Sequence, residues 1–153
     1  MTTDEGGQTP SGILLAFVVV GYGALLIGAL GFLSLLTDSD VIRTPGVPNP
    51  AGVLAVLVAV VAFALALWPP LRRTHPNYPA ALGVALITGV AYGVALWLLA
   101  LVFGADLVTA TAALGGVVTS WPIAVIVLAA ALGGWIGIAL RRTRAHRPHW
   151  PWE

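Results

Sequence analysis

Four apolar stretches, none containing a charged residue, constrain this chain more than any other feature. They cover residues 12–36, 51–68, 79–103 and 121–140, lengths of 25, 18, 25 and 20 residues. A helix rises about 1.5 Å per residue, so roughly 20 residues cross a hydrocarbon core of about 30 Å. All four are long enough, the second only just. A transmembrane strand would need about 9–11 residues alternating apolar and polar. The run Val53-Leu54-Ala55-Val56-Leu57-Val58-Ala59-Val60-Val61 has no such alternation, so each stretch reads as a helix. Composition agrees: the 153 residues are 59% hydrophobic and 8% charged, against about 25% charged in a soluble domain. A soluble fold of this size buries only about 70% of its unfolded surface and could not hide so much apolar side chain. A soluble enzyme, a disordered chain and a nucleic-acid module are excluded. The expected fold is an all-α, polytopic bundle of four transmembrane helices.

Helix punctuation supports these limits. Thr37-Asp38-Ser39-Asp40 closes the first stretch, and Pro48-Asn49-Pro50 precedes the second. Pro50 suits a first helical turn. Pro69-Pro70 is expected to stop the second helix, Pro76 and Pro79 bracket the start of the third, and Pro122 follows Ser120 as cap of the fourth. Residues 1–11 lack a basic region and the first stretch is too long for a signal sequence, so it is expected to remain as a helix. Three parts follow: a polar segment 1–11, a transmembrane domain 12–140, and a basic tail 141–153 containing Trp and Pro. The connector 104–120 is almost wholly apolar. A short helix around Leu107–Leu114 lying on the outer face is expected there, with a partial extension of the fourth helix as the alternative; a re-entrant segment would need protein to shield its backbone.

Arginine placement orients the bundle. All seven basic residues are arginine. Arg72 and Arg73 lie in the second connector, and Arg141, Arg142, Arg144 and Arg147 in the tail, whereas Arg43 alone lies on the other side. Arginine-rich loops stay cytoplasmic, so both termini are expected inside, in a multi-pass protein of the bacterial cytoplasmic membrane. Val20-Gly21-Tyr22-Gly23-Ala24-Leu25-Leu26 matches Val90-Ala91-Tyr92-Gly93-Val94-Ala95-Leu96 at an offset of 70. The match allows a 2+2 duplication of helical hairpins about an axis along the membrane normal.

What is missing bounds the chemistry. There are no cysteines and no lysines, hence no thiol chemistry and no lysine Schiff base. No Asp, Glu, Arg or His lies inside the four stretches, whereas proton-coupled carriers, pumps and voltage sensors need such groups. His75, His146 and His149 fall outside the spans, which removes bis-histidine haem. His146 and His149 have only Glu153 near as a third metal ligand. No cofactor or metal is expected. An intramembrane enzyme would have only Asp38, Asp40 and Asp106 of the outer connectors to work with.

Three sets of residues remain as candidates. Small residues recur four apart, on one helix face: Ala24 and Gly28; Ala85, Gly89 and Gly93; Ala129, Gly133 and Gly137; with a row at Ala51, Ala55 and Ala59. Small residues let helices approach closely in lipid, either within the bundle or against a partner. Tyr22, Thr88 and Tyr92 form a second set, an intramembrane polar patch between the first and third helices. Arg72, Arg73, Arg141, Arg142, Arg144 and Arg147, with Trp150 and Trp152, form a third, for anionic lipid at the cytoplasmic face or for a partner protein. A net charge of +1 and a short basic block exclude nucleic acid.

In overall pattern the chain is similar to uncharacterised small four-helix integral membrane proteins of actinobacteria, which share the arginine-rich tail. The Ala/Val/Leu/Gly/Pro/Arg bias without lysine fits that resemblance. It carries no motif that assigns a role to a residue. The function expected is therefore non-catalytic: an accessory or scaffolding subunit acting by association with other membrane subunits or with itself. The alternative is a small oligomeric channel or facilitator for an uncharged or lipid-like solute.

Overall fold

The computed structural model describes residues 11–38, 49–73 and 77–145. They form five helices: α1 (Ser11–Thr37), α2 (Asn49–Arg72), α3 (Pro79–Val102), α4 (Leu107–Val118) and α5 (Trp121–Ala145). Among the described residues there is no strand. Helices α1, α2, α3 and α5 are each long and apolar enough to cross a membrane. The fold is a helical membrane bundle of four candidate spans.

Each span contributes a stripe of buried side chains. On α1 it is Leu14, Val18, Tyr22, Leu26 and Leu30; on α2 it is Ala51, Ala55, Ala59, Phe63, Leu67 and Leu71. At 3.6 residues per turn, four-residue spacing winds such a stripe slowly around the helix, by about 40° per step. Helix α3 is the most enclosed span and α1 the least. The helices form a ring in the order α1, α2, α3, α5; α2 and α5 also meet across its centre, whereas α1 and α3 do not approach each other.

Contacts at small residues set the register. Gly89 faces Val127 and Gly134 faces Ala81, so α3 and α5 run antiparallel. Gly133 faces Phe63 and Tyr22, and Gly137 faces Val18 and Leu67. Helix α5 is therefore antiparallel to α1 and parallel to α2. Aromatic side chains mark two levels. Tyr78 and Trp135 adjoin at one end, with ring centroids 6.3 Å apart. Trp97 lies at the other end of α3, nineteen residues beyond Tyr78, which is about 28 Å of helix and matches a hydrocarbon core of about 30 Å.

Three boundaries differ from those expected. Pro69 and Pro70 do not stop α2, which continues to Arg72. Two prolines remove two backbone donors but also hold φ at a helical value. Burial of Pro70 and of Leu71 draws that last turn onto the core. Helix α5 continues past Leu140 into the arginines, which are good helix formers. Helix α4 is a turn longer than expected and does not lie flat on an outer surface. It turns back along α3: Ala110 and Ala113 pack with Ala100 and Trp97, and Leu114 reaches Gly93. The reversal depends on Gly104, whose φ of 92° disfavours a side chain. The Gly104 N–H donates to the Leu101 carbonyl and the Ala105 N–H to the Ala100 carbonyl, the paired closure typical of a glycine-terminated helix.

Candidate functional site

The small residues divide into two groups with different surroundings. On α3 and α5 they are used inside the bundle. A Cβ placed on Gly89 would lie 2.7 Å from Val127 Cγ2, and one on Gly93 would lie 3.2 Å from Leu114 Cδ1. On Gly133 it would lie 3.1 Å from Phe63 Cζ, and on Gly137 3.3 Å from both Val18 methyls. Ala85 and Ala129 are buried beside them, and the Ala51, Ala55, Ala59 row of α2 is fully enclosed. These positions are where helix backbones come close because no side chain intervenes.

The α1 pair lies elsewhere. Ala24 and Gly28 are exposed, and nothing lies within 4 Å of a Cβ built on Gly28, Gly21 or Gly31. Helical spacing puts Gly21, Ala24, Gly28 and Gly31 on one face, opposite the buried stripe through Tyr22 and Leu26. Phe17 and Leu35 flank that face at either end, also exposed. The result is a shallow furrow on the outside of the least enclosed helix. Reading each four-residue repeat separately could not distinguish it from the internal ones; the distinction needs the buried stripe of α1.

The polar patch expected between the first and third helices does not form. These two helices do not touch, and the residues lie at different depths. Tyr22 is level with Gly133, and Gly134 with Ala81, so Tyr22 sits near the start of α3. Tyr92 lies roughly ten residues farther along, about 15 Å. The seven-residue match at offset 70 is thus not a match in depth, although α1–α2 and α3–α5 do stand as two hairpins. Tyr22 stacks on Phe63, centroids 4.1 Å apart and planes inclined 23°. Thr88, near the midpoint between Tyr78 and Trp97, donates its hydroxyl hydrogen to the Val84 carbonyl at 2.8 Å. Tyr22 Oη and Tyr92 Oη are buried without a hydrogen-bond partner among the described residues. All three side chains are enclosed to within 2% exposure, so they line no common path through one chain.

Comparison with protein-family models, with curated proteins and with solved structures finds no match. What can be said of function therefore rests on this chain's own geometry.

Sequence reasoning did not anticipate the contacts of the arginines. The Arg142 guanidinium lies over the Tyr78 ring, its carbon 4.8 Å from the centroid, and Arg72 lies over Trp68 at 5.1 Å. The Trp68–Arg72 spacing of four is readable in sequence; the Arg142–Tyr78–Trp135 group joins two helices and is not. Arg73 is exposed and Arg141 half-buried. Arg144 lies in α5, but its side chain is outside the described residues, as are Arg147, Trp150, Trp152 and the three histidines. At the opposite end Asp106 begins α4 with extended backbone, and its carboxylate closes no cap bond to the helix. The Thr109 hydroxyl holds that carboxyl below the ordinary carboxylate value. No group of three or more His, Cys, Asp or Glu side chains gathers among the described residues.

Proposed function

We propose that this chain is a non-catalytic subunit of a complex in the bacterial cytoplasmic membrane, acting by association through the outward furrow of α1. One observation carries the reading: Gly89, Gly93, Gly133 and Gly137 of α3 and α5 face neighbours inside the bundle, whereas Gly21, Gly28 and Gly31, with exposed Ala24 between them, face none among the described residues. Lipid chains are as apolar as leucine, so a glycine face gains nothing from lipid and gains close backbone packing from another helix. The absence of Asp, Glu, Arg and His from the four apolar stretches supports association over transport or catalysis. The facilitator alternative relied on Tyr22, Thr88 and Tyr92, and no contact among them favours it.

The test is affinity purification of the full chain from native membranes in mild detergent, with mass spectrometry and with self-association measured by energy transfer between labelled copies. Gly28→Ile should remove the associated subunit or the self-association. Gly83→Ile, on another open position, should leave it intact. A monomer without a co-purifying subunit, or association indifferent to Gly28→Ile, would defeat the proposal.

A further inference from the structure

Independently of that association, we propose that the groove between α3 and α5 at the arginine-bearing end binds the phosphodiester headgroup of an anionic phospholipid. Arg142 is its donor, and Tyr78 with Trp135 is the platform that positions it. Helix α5 ends here, and Cα–Cβ bonds tilt toward a helix N-terminus. The Arg142 side chain accordingly leans back toward the bilayer rather than out to water. It stops over the Tyr78 ring, 4.8 Å from the centroid, and that ring adjoins Trp135. Tyrosine and tryptophan settle at headgroup depth, so the guanidinium is held at the level of the lipid phosphates.

A guanidinium held over a ring still has planar N–H donors to offer, in the fork that fits a phosphate. No carboxylate competes among the described residues: Asp38 and Asp106 are the acidic side chains described, and both lie at the opposite end, after α1 and before α4. Among the described residues the Arg142 charge therefore has an aromatic support and no carboxylate beside it. The surroundings select a lipid over free phosphate. Leu82 lies one turn inward from Tyr78 and Leu128 two turns inward from Trp135, both well exposed, and they extend the groove as apolar surface for acyl chains. Helix α2 repeats the same device in the stacking of Arg72 on Trp68.

The experiment is native mass spectrometry of the purified full chain in detergent, titrated with phosphatidylglycerol, phosphatidylcholine or inorganic phosphate. Phosphatidylglycerol should be retained at least about fivefold more strongly than phosphatidylcholine, the ratio expected for one arginine at an anionic leaflet. Arg142→Gln should abolish that preference. Arg142→Lys should keep part of it, since the charge remains and the planar fork is lost. Tyr78→Leu should reduce it with the charge intact, and serves should Arg142→Gln fail to fold. Equal retention of the two lipids would overturn the proposal, as would a preference unchanged in both Arg142→Gln and Tyr78→Leu. Displacement of the lipid by equimolar inorganic phosphate would overturn the lipid assignment.

Discussion

At Gly89 the distance between two helices depends on one absent methyl group. A Cβ there would meet a branched side chain, Val127, at 2.7 Å, and valine has few rotamers in a helix. Gly89→Ala should destabilise the bundle by about 1–3 kcal/mol, the usual cost of overpacking. Adding Val127→Ala should restore most of it, whereas Gly28→Ala should be close to neutral. Reversible unfolding in mixed micelles measures all three, and equal effects at positions 28 and 89 would contradict the packing described. The two buried phenols test a different term. Leaving a buried hydroxyl unpaired carries a desolvation cost of about 1–3 kcal/mol. Tyr22→Phe and Tyr92→Phe should therefore be neutral or stabilising in the same assay; a clear loss of stability would reveal a hydrogen-bond partner for that phenol. The presence of two tyrosines in apolar stretches was legible in the sequence, but their separate depths were not, because depth depends on how far one helix slides along the next.

Helix α4 is the element whose placement composition described least well. Its residues are apolar enough for an interfacial helix, a membrane segment or an extension of α5. Gly93 decides among these by leaving room for Leu114, and Ala110, Ala113 and Val117 supply the small buried face that lies along α3. The start of α4 carries a pH dependence of definite sign. The folded Asp106 carboxyl lies below its ordinary value of 3.8, chiefly through the Thr109 hydroxyl. A lowered folded value means that the contribution is fully present above the ordinary value and is lost as pH falls through the folded one. Carboxyl NMR should show the Asp106 titration moving upward in Thr109→Val, with the pH dependence below the ordinary value reduced. An unchanged titration would mean that Thr109 does not hold the carboxylate. The effect is small because the group is exposed to solvent.

Across the whole molecule, four spans place the start of α1 and the end of α5 on one side and the α3–α4 turn on the other. The chain has no cysteine, so single cysteines can be introduced without background. Cysteines at Thr143 and at Ala105 should react with a membrane-impermeant maleimide from opposite sides of sealed vesicles, position 143 from the cytoplasmic side. Labelling of both from the same side would be incompatible with four crossings. The bundle also explains why one helix is left with an open furrow. Four helices with α2 and α5 touching across the centre leave α1 bounded by two of the described helices, so most of its circumference faces away from them.

The sequence by itself determined that the chain is helical, that four stretches are long and apolar enough to cross a membrane, which end carries the arginines, and that no Asp, Glu, Arg or His lies within those stretches. These are properties of hydrophobic length and charge position, and both are local. Only the tertiary structure decided that Gly89, Gly93, Gly133 and Gly137 are consumed by packing while Gly21, Gly28 and Gly31 of α1 meet no described neighbour. The same is true of the unequal depths of Tyr22 and Tyr92 and of the support that Tyr78 and Trp135 give Arg142. Each of these depends on helix order, rotation and axial register. In chains built almost wholly from Ala, Val, Leu and Gly, many pairings bury similar apolar area, and steric fit at a few positions such as Gly89 and Gly133 selects one of them.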